Sequence, residues 1–228
     1  MRRNLAPAFE GRTDFDSAFA EVAALFRRIP VDGKKLPKVA IFGDLYVRDN
    51  DIMNQGLIAC LEAAGAEVIT TPFTEYVRIV AASYFRKWRE AGEYAAAFGY
   101  RALWKLVDAL GRKYGKLFEP LLGSPARHAG DRGCRIDLMK EFGVRNEHAG
   151  ESFDNLLKVV HLARTNPDLA LFVQASPAFC CPSLVTEAMA RDIERVTGVP
   201  VVSVTYDGTG QYRNDAVVPY VAYAASRH

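Results

Sequence analysis

The chain has 228 residues, is 50% hydrophobic, and carries a formal charge of +2 with both signs mixed along its length. That allows one domain or two small ones with a substantial core, and argues against a polyanion as the main partner. The apolar runs fall short of the roughly 18 residues a membrane helix needs, and Met1-Arg2-Arg3-Asn4-Leu5-Ala6-Pro7 has no apolar signal stretch, so the expected location is the cytosol.

Residues 1–36 read as a helical extension, with Phe15, Phe19, Val22 and Phe26 near helical spacing and Pro30 and Asp32-Gly33 ending it. From residue 37 onward the pattern is that of an α/β domain. The short apolar run Val39–Gly43 predicts a strand covered on both faces. A polar loop follows, then a helix with Met53, Leu57, Cys60, Leu61 and Ala64 on one face, stopped by Gly65. Glu67–Thr71 predicts the second strand, parallel to the first through a right-handed crossover.

Residues from about 75 to 122 read as long, aromatic-rich helices inserted between the second and third strands, with Gly92 and Gly99 as interruptions. Residues 123–150 are rich in loop-forming types. The alternation then resumes with a helix over Phe153–Ala163, a strand over Leu169–Val173 and a helix opened by Pro182. Leu184, Val185, Ala188, Met189, Ile193 and Val196 form its expected inner face. Gly198 closes that helix, and Pro200–Thr205 is the last strand. This order predicts a doubly wound, mostly parallel four-stranded sheet. Ligands of such sheets bind beyond the carboxyl ends of the strands, which singles out the loops 43–51, 174–183 and 206–214.

Each of those loops holds candidate groups. Cys180 and Cys181 lie between a buried strand and a helix N-terminus, where the helix dipole favours a thiolate able to bind metal or attack an electrophile. Adjacent side chains diverge, so one of the pair is the better ligand. The competing reading is two small residues filling a tight loop. Cys134, in Gly133-Cys134-Arg135, reads as a second ligand or as a solvated loop thiol, and Cys60 reads as core. No Cys-x-x-Cys pair is present, and four cysteines in this length are not a disulfide framework.

Asp44, Arg48, Asp49 and Asn54 suit either a ribose or metal, or the capping of the next helix; the capping reading stands slightly ahead. Asp207, Gly208 and Thr209 form a possible ligand loop, but Arg213 breaks the GxGxxG pattern of a phosphate cradle. The basic and aromatic residues of the insertion are diluted by Glu90, Glu93 and Asp108. A docking face for another domain is therefore preferred over a nucleic-acid surface. The four histidines show no metal-ligand spacing.

Several segments, in order, resemble the 2-hydroxyacyl-CoA dehydratase and benzoyl-CoA reductase family, and most closely the C-terminal part of the large CoA-substrate-specific enzyme activases. They are Lys38–Asn50, Met53-Asn54-Gln55, Thr71–Tyr76, Gly150-Glu151-Ser152, Ser176–Val185, Val204–Gly210 and Asn214-Asp215. The resemblance implies a flavodoxin-like domain that helps hold a [4Fe-4S] cluster through cysteines. Cys180 is its first ligand candidate, with Cys181 and Cys134 behind. The dehydratases of this family act on acyl-CoA esters through a ketyl radical, and an ATP-dependent iron–sulfur activator injects the electron. The other cluster cysteines of full-length members lie mostly in a preceding domain, and no cysteine precedes Lys38 here. The expectation is one component of a larger assembly, completed by an N-terminal domain or separate subunits and not catalytic alone. The alternative is a cluster-free module for subunit assembly or ligand binding, with structural cysteines. Neither nucleic acid nor membrane is expected as a partner.

Overall fold

The structure is a computed structural model that describes residues 2–31, 33–121, 136–145 and 150–226. Its sheet has four strands: β1 (Lys38–Gly43), β2 (Glu67–Ile69), β3 (Leu169–Pro177) and β4 (Val201–Tyr206). All pairings are parallel, in the order β2-β1-β3-β4. This is the expected flavodoxin-like, doubly wound α/β arrangement, with the helical insertion between β2 and β3.

The helices are α1 (Arg2–Phe9), α2 (Phe15–Arg27), α3 (Leu57–Ala63), α4 (Phe73–Glu90), α5 (Tyr94–Gly115), α6 (Glu151–Thr165), α7 (Cys181–Ala188), α8 (Ala190–Thr197) and α9 (Val218–Ala225). Among the described residues no helix is long and apolar enough to cross a membrane. The chain divides into two compact units, one of residues 1–34 and 84–131, the other of residues 35–83 and 132–228.

In the sheet unit, strand alternation builds a core on each face. Val39, Ile41, Leu171, Val173, Val202 and Val204 face α3 and α9, where they meet Leu57, Leu61 and Val221. Ala40, Phe42 and Phe172 face the other way, onto Phe153, Leu156 and Leu157 of α6 and Ile193 of α8. Residues 152–160 of α6 are buried without a break, so this helix has no solvent face over its first two turns. In the helical unit, Phe19 of α2 stacks on Tyr114 of α5 with ring centroids 4.3 Å apart, and Lys113 pairs with Asp16 at 2.6 Å.

Several boundaries differ from the sequence expectation by one or more residues. β2 ends at Ile69, two residues early, and β3 runs on to Pro177. The segment 51–55 is a turn, so the helix expected from Asp51 begins at Leu57, behind left-handed Gly56. The helix expected after Pro182 is two helices that meet at Met189. Leu184 and Val185 point outward, 54% and 45% exposed, because Ser183 and Thr186 take the inner side of α7. Gly65 and Gly198 do adopt the left-handed conformation that ends their helices.

Candidate functional site

At the end of β1, Gly43 leaves the sheet with φ +114° and the Asp44 amide donates to the Ala175 carbonyl at 3.0 Å. The Asp44 carboxylate then accepts from the Tyr46 and Val47 amides, which starts the 3-10 turn Val47–Asp49. At the end of β3, the Ala178 amide donates to the Tyr206 carbonyl of β4, and Phe179 turns the chain with φ +63°. Cys180 follows as the residue before α7. Glu151, the first residue of α6, lies at the same edge.

These three elements bring Asp44, Glu151 and the Cys180 thiol together, with one ligand atom from each lying within 4.8 Å of the others. All three side chains are half-buried. Burial, reinforced by the neighbouring Asp44 carboxylate, raises the Glu151 carboxyl above the ordinary glutamate range; the Leu45 amide and the cations Lys158 and Arg48 oppose that rise. In strand order the site lies where the chain passes from β1 outward to β2 and returns on the other side as β3. That is the topological switch point at which such sheets open a crevice.

Beneath this group lie two buried cations. The Arg48 side chain is 1% exposed; its Nε donates to Asp49 at 3.1 Å and its Nη2 to the Thr71 carbonyl at 3.0 Å. Lys158 of α6 is fully buried. Both cations approach the face of the Tyr76 ring, at 5.7 and 6.0 Å from its centroid. Burial, then the Arg48 charge, pushes the Lys158 ammonium well below its ordinary range, against the attraction of Asp49, Glu151 and Asp44.

The other sequence candidates are spent largely on holding loops. Asn54 Oδ1 accepts from the Gly56 and Leu57 amides and its Nδ2 donates to the Val47 and Arg48 carbonyls, so it caps α3 and braces the turn before it. Asp207 accepts from the Thr209 amide and hydroxyl and pairs with Arg213; the Thr209 hydrogen bonds first, then Arg213, hold its carboxyl down at about 2. Gly208 supplies the positive φ of that turn. Cys181 is exposed and outside the Asp44–Glu151–Cys180 group. The Cys60 thiol on α3 lies 3.7 Å from the Asn214 carbonyl. Cys134, His128, His148 and His228 lie outside the described residues.

The group offers one thiol and two carboxylates. The described residues do not supply the set of cysteines that a [4Fe-4S] cage requires. Comparison with family models, with curated proteins and with solved structures gives no match for this chain.

Sequence reasoning did not find Glu151, Asn155 and Lys158 as site residues. The available signal was their spacing, i, i+4 and i+7 along one face of the helix. Such a stripe reads as the solvated side of an amphipathic helix, and here it is covered.

Proposed function

We propose that this chain is an α/β component of an ATP-dependent CoA-ester redox system of the 2-hydroxyacyl-CoA dehydratase and benzoyl-CoA reductase kind. In it Cys180 supplies one thiolate to a [4Fe-4S] cluster whose other cysteines come from a further domain or subunit. The setting is cytosolic, the partners are that cysteine-bearing domain and an ATP-dependent activator, and acyl-CoA is the substrate class. The observation that carries the reading is the half-buried Cys180 thiol gathered with Asp44 and Glu151 at the switch point of the sheet. The ordered set of segments resembling this family adds to it. When bound, the cluster would supply one-electron transfer; this chain's part is to present the thiol on the rigid end of β3 and to set the charge around it.

Anaerobic reconstitution with iron, sulfide and an external thiol, to complete the coordination, tests this. Bound iron and sulfide with broad visible absorption are expected, lost in Cys180→Ser and retained in Cys181→Ser. An iron-free, colourless chain removes the cluster from this protein, and full iron in Cys180→Ser removes the ligand assignment.

A second reading, a cluster-free module for subunit assembly, is favoured by one observation. Leu103, Leu106, Val107 and Leu110 of α5 are all exposed and follow one another at helical spacing. An iron-free chain that self-associates through this face, and loses that association when Leu106 and Leu110 become Gln, supports it.

A further inference from the structure

The sheet ends on β4, and the outer side of that strand is open. The register pairs Phe172 with Val201, Gln174 with Ser203 and Ser176 with Thr205. In this ladder the Phe172 amide donates to the Pro200 carbonyl, and beyond its end the Ala178 amide donates to the Tyr206 carbonyl. Val202, Val204 and Tyr206 therefore turn their backbone groups toward β3, and Val201, Ser203 and Thr205 turn theirs away from it. The Val201 amide is held by the Glu194 carboxylate of α8 at 2.9 Å. Among the described residues no hydrogen bond reaches the amides or carbonyls of Ser203 and Thr205. Such edges are usually blunted by a charge, a proline, a bulge or a covering segment. Val201–Tyr206 has no charged residue and no proline, its register with β3 is unbroken, Ser203 is half-buried and Thr205 is exposed. The opposite edge differs: β2 is three residues long and begins with the exposed Glu67.

Doubly wound sheets of this strand order commonly carry one more strand beside β4, so the shape that fits this edge is a strand. An identical strand matches it group for group. With Val204 on a two-fold axis, two β4 strands run antiparallel, and Ser203 of each copy lies opposite Thr205 of the other. Each such pair exchanges both amide-to-carbonyl bonds. Every open backbone group of Ser203 and Thr205 is then satisfied, and the Glu194 contact to Val201 stays as it is. No like charges meet across the axis, because the strand carries none. On the α9 face, a groove lined by Leu169, Leu171, Pro200, Pro219, Tyr220 and Tyr223 lies beside the start of β4. Tyr220 and Tyr223 are 49% and 62% exposed. This aromatic surface adjoins the edge and adds the apolar burial that strand pairing by itself lacks.

We propose that β4 is the interface of a homodimer, in which the open edges of two copies pair antiparallel and join their sheets into one. The interface is independent of the cluster assignment, because it uses no cysteine and no metal, and it lies on a different element from the leucine face of α5.

The test is sedimentation equilibrium of the full chain over a wide concentration range, with amide hydrogen exchange read residue by residue. A monomer–dimer equilibrium is expected, in which Ser203→Pro and Thr205→Lys each weaken dimerisation tenfold or more. Ser203→Pro removes an amide that faces away from β3, so the β3–β4 ladder is kept. Thr205→Lys places on the edge the charge it lacks. Circular dichroism establishes that each variant is folded, and if Ser203→Pro is not, Thr205→Lys at its exposed position decides. The Ser203 amide should exchange slowly in the wild-type dimer and fast in Thr205→Lys. A chain that stays monomeric up to about 100 μM overturns the proposal. So does a dimer that the folded edge variants leave intact. A dimer abolished by Leu106→Gln with Leu110→Gln, and not by the edge variants, assigns the contact to α5 and overturns it as well.

Discussion

At Gly43 a Cβ would run into the Ala175 carbonyl oxygen, and the backbone holds φ +114°. That oxygen is backbone, fixed by the β1–β3 pairing, and cannot step aside. Gly43→Ala is therefore expected to cost roughly 3 kcal/mol or more through overpacking and backbone strain, read as a lower denaturant midpoint. The loss should fall on the site too, because Asp44 takes its position from this residue. Phe179 is the opposite case: a bulky side chain, 92% exposed, held at φ +63° where only glycine is unstrained. Phe179→Gly should relieve about 1 kcal/mol of that strain, partly offset by glycine's greater freedom in the unfolded chain. A variant less stable than wild type in urea would show that the ring makes contacts outweighing the strain.

Among the elements, the clearest prediction concerns the turn before α3. Asn54 is fully buried and makes four hydrogen bonds, two as an acceptor capping α3 and two as a donor to the carbonyls of Val47 and Arg48. Asn54→Ala should cost about 2–3 kcal/mol, and Asn54→Asp nearly as much, because the carboxylate keeps the cap but cannot donate to the carbonyls. Equal stability of Asn54→Asp and wild type at neutral pH would show that only the cap matters. The same scale explains what the sequence could and could not disclose. The apolar runs of β1, β3 and β4 are strong signals because both faces of the sheet are covered. The end of β3 was hidden because Gln174 and Ser176 are polar yet buried, with Gln174 donating to the Ser183 carbonyl at 2.8 Å. That bond also helps explain α7: its inner side meets a polar strand end, so Ser183 and Thr186 turn in and Leu184 and Val185 turn out. Topology alone pointed to the carboxyl ends of the strands, where Asp44 and Cys180 come from two of the three loops it singled out. Glu151, Asn155 and Lys158 were missed because periodicity assigns polar residues to water and cannot see that a second layer covers them.

For the whole molecule, the buried lysine makes stability depend on pH with a definite sign. Burial and the Arg48 charge lower the folded-state affinity of Lys158 for its proton, while the unfolded chain keeps the ordinary value near 10.5. Between the lowered value and about 10.5 the unfolded state binds more protons, so this group makes stability rise with pH across that window. At neutral pH Lys158 therefore opposes folding. The charged groups around it pull both ways: Arg48 reinforces the shift, and Asp49, Glu151 and Asp44 resist it. Glu151 has the reverse slope, since its raised folded value makes stability fall as pH rises from about 4.5 through that value. The two effects occupy separate windows and are resolved by single variants. Lys158→Met, which keeps the volume of the stem and removes the charge, should be more stable than wild type at pH 7 and should lose the rise in melting temperature on the alkaline side, below about pH 10. Glu151→Gln should leave that alkaline rise intact and flatten the fall on the acid side. An alkaline slope that survives in Lys158→Met would mean that another group carries it and that Lys158 keeps its proton in the folded chain.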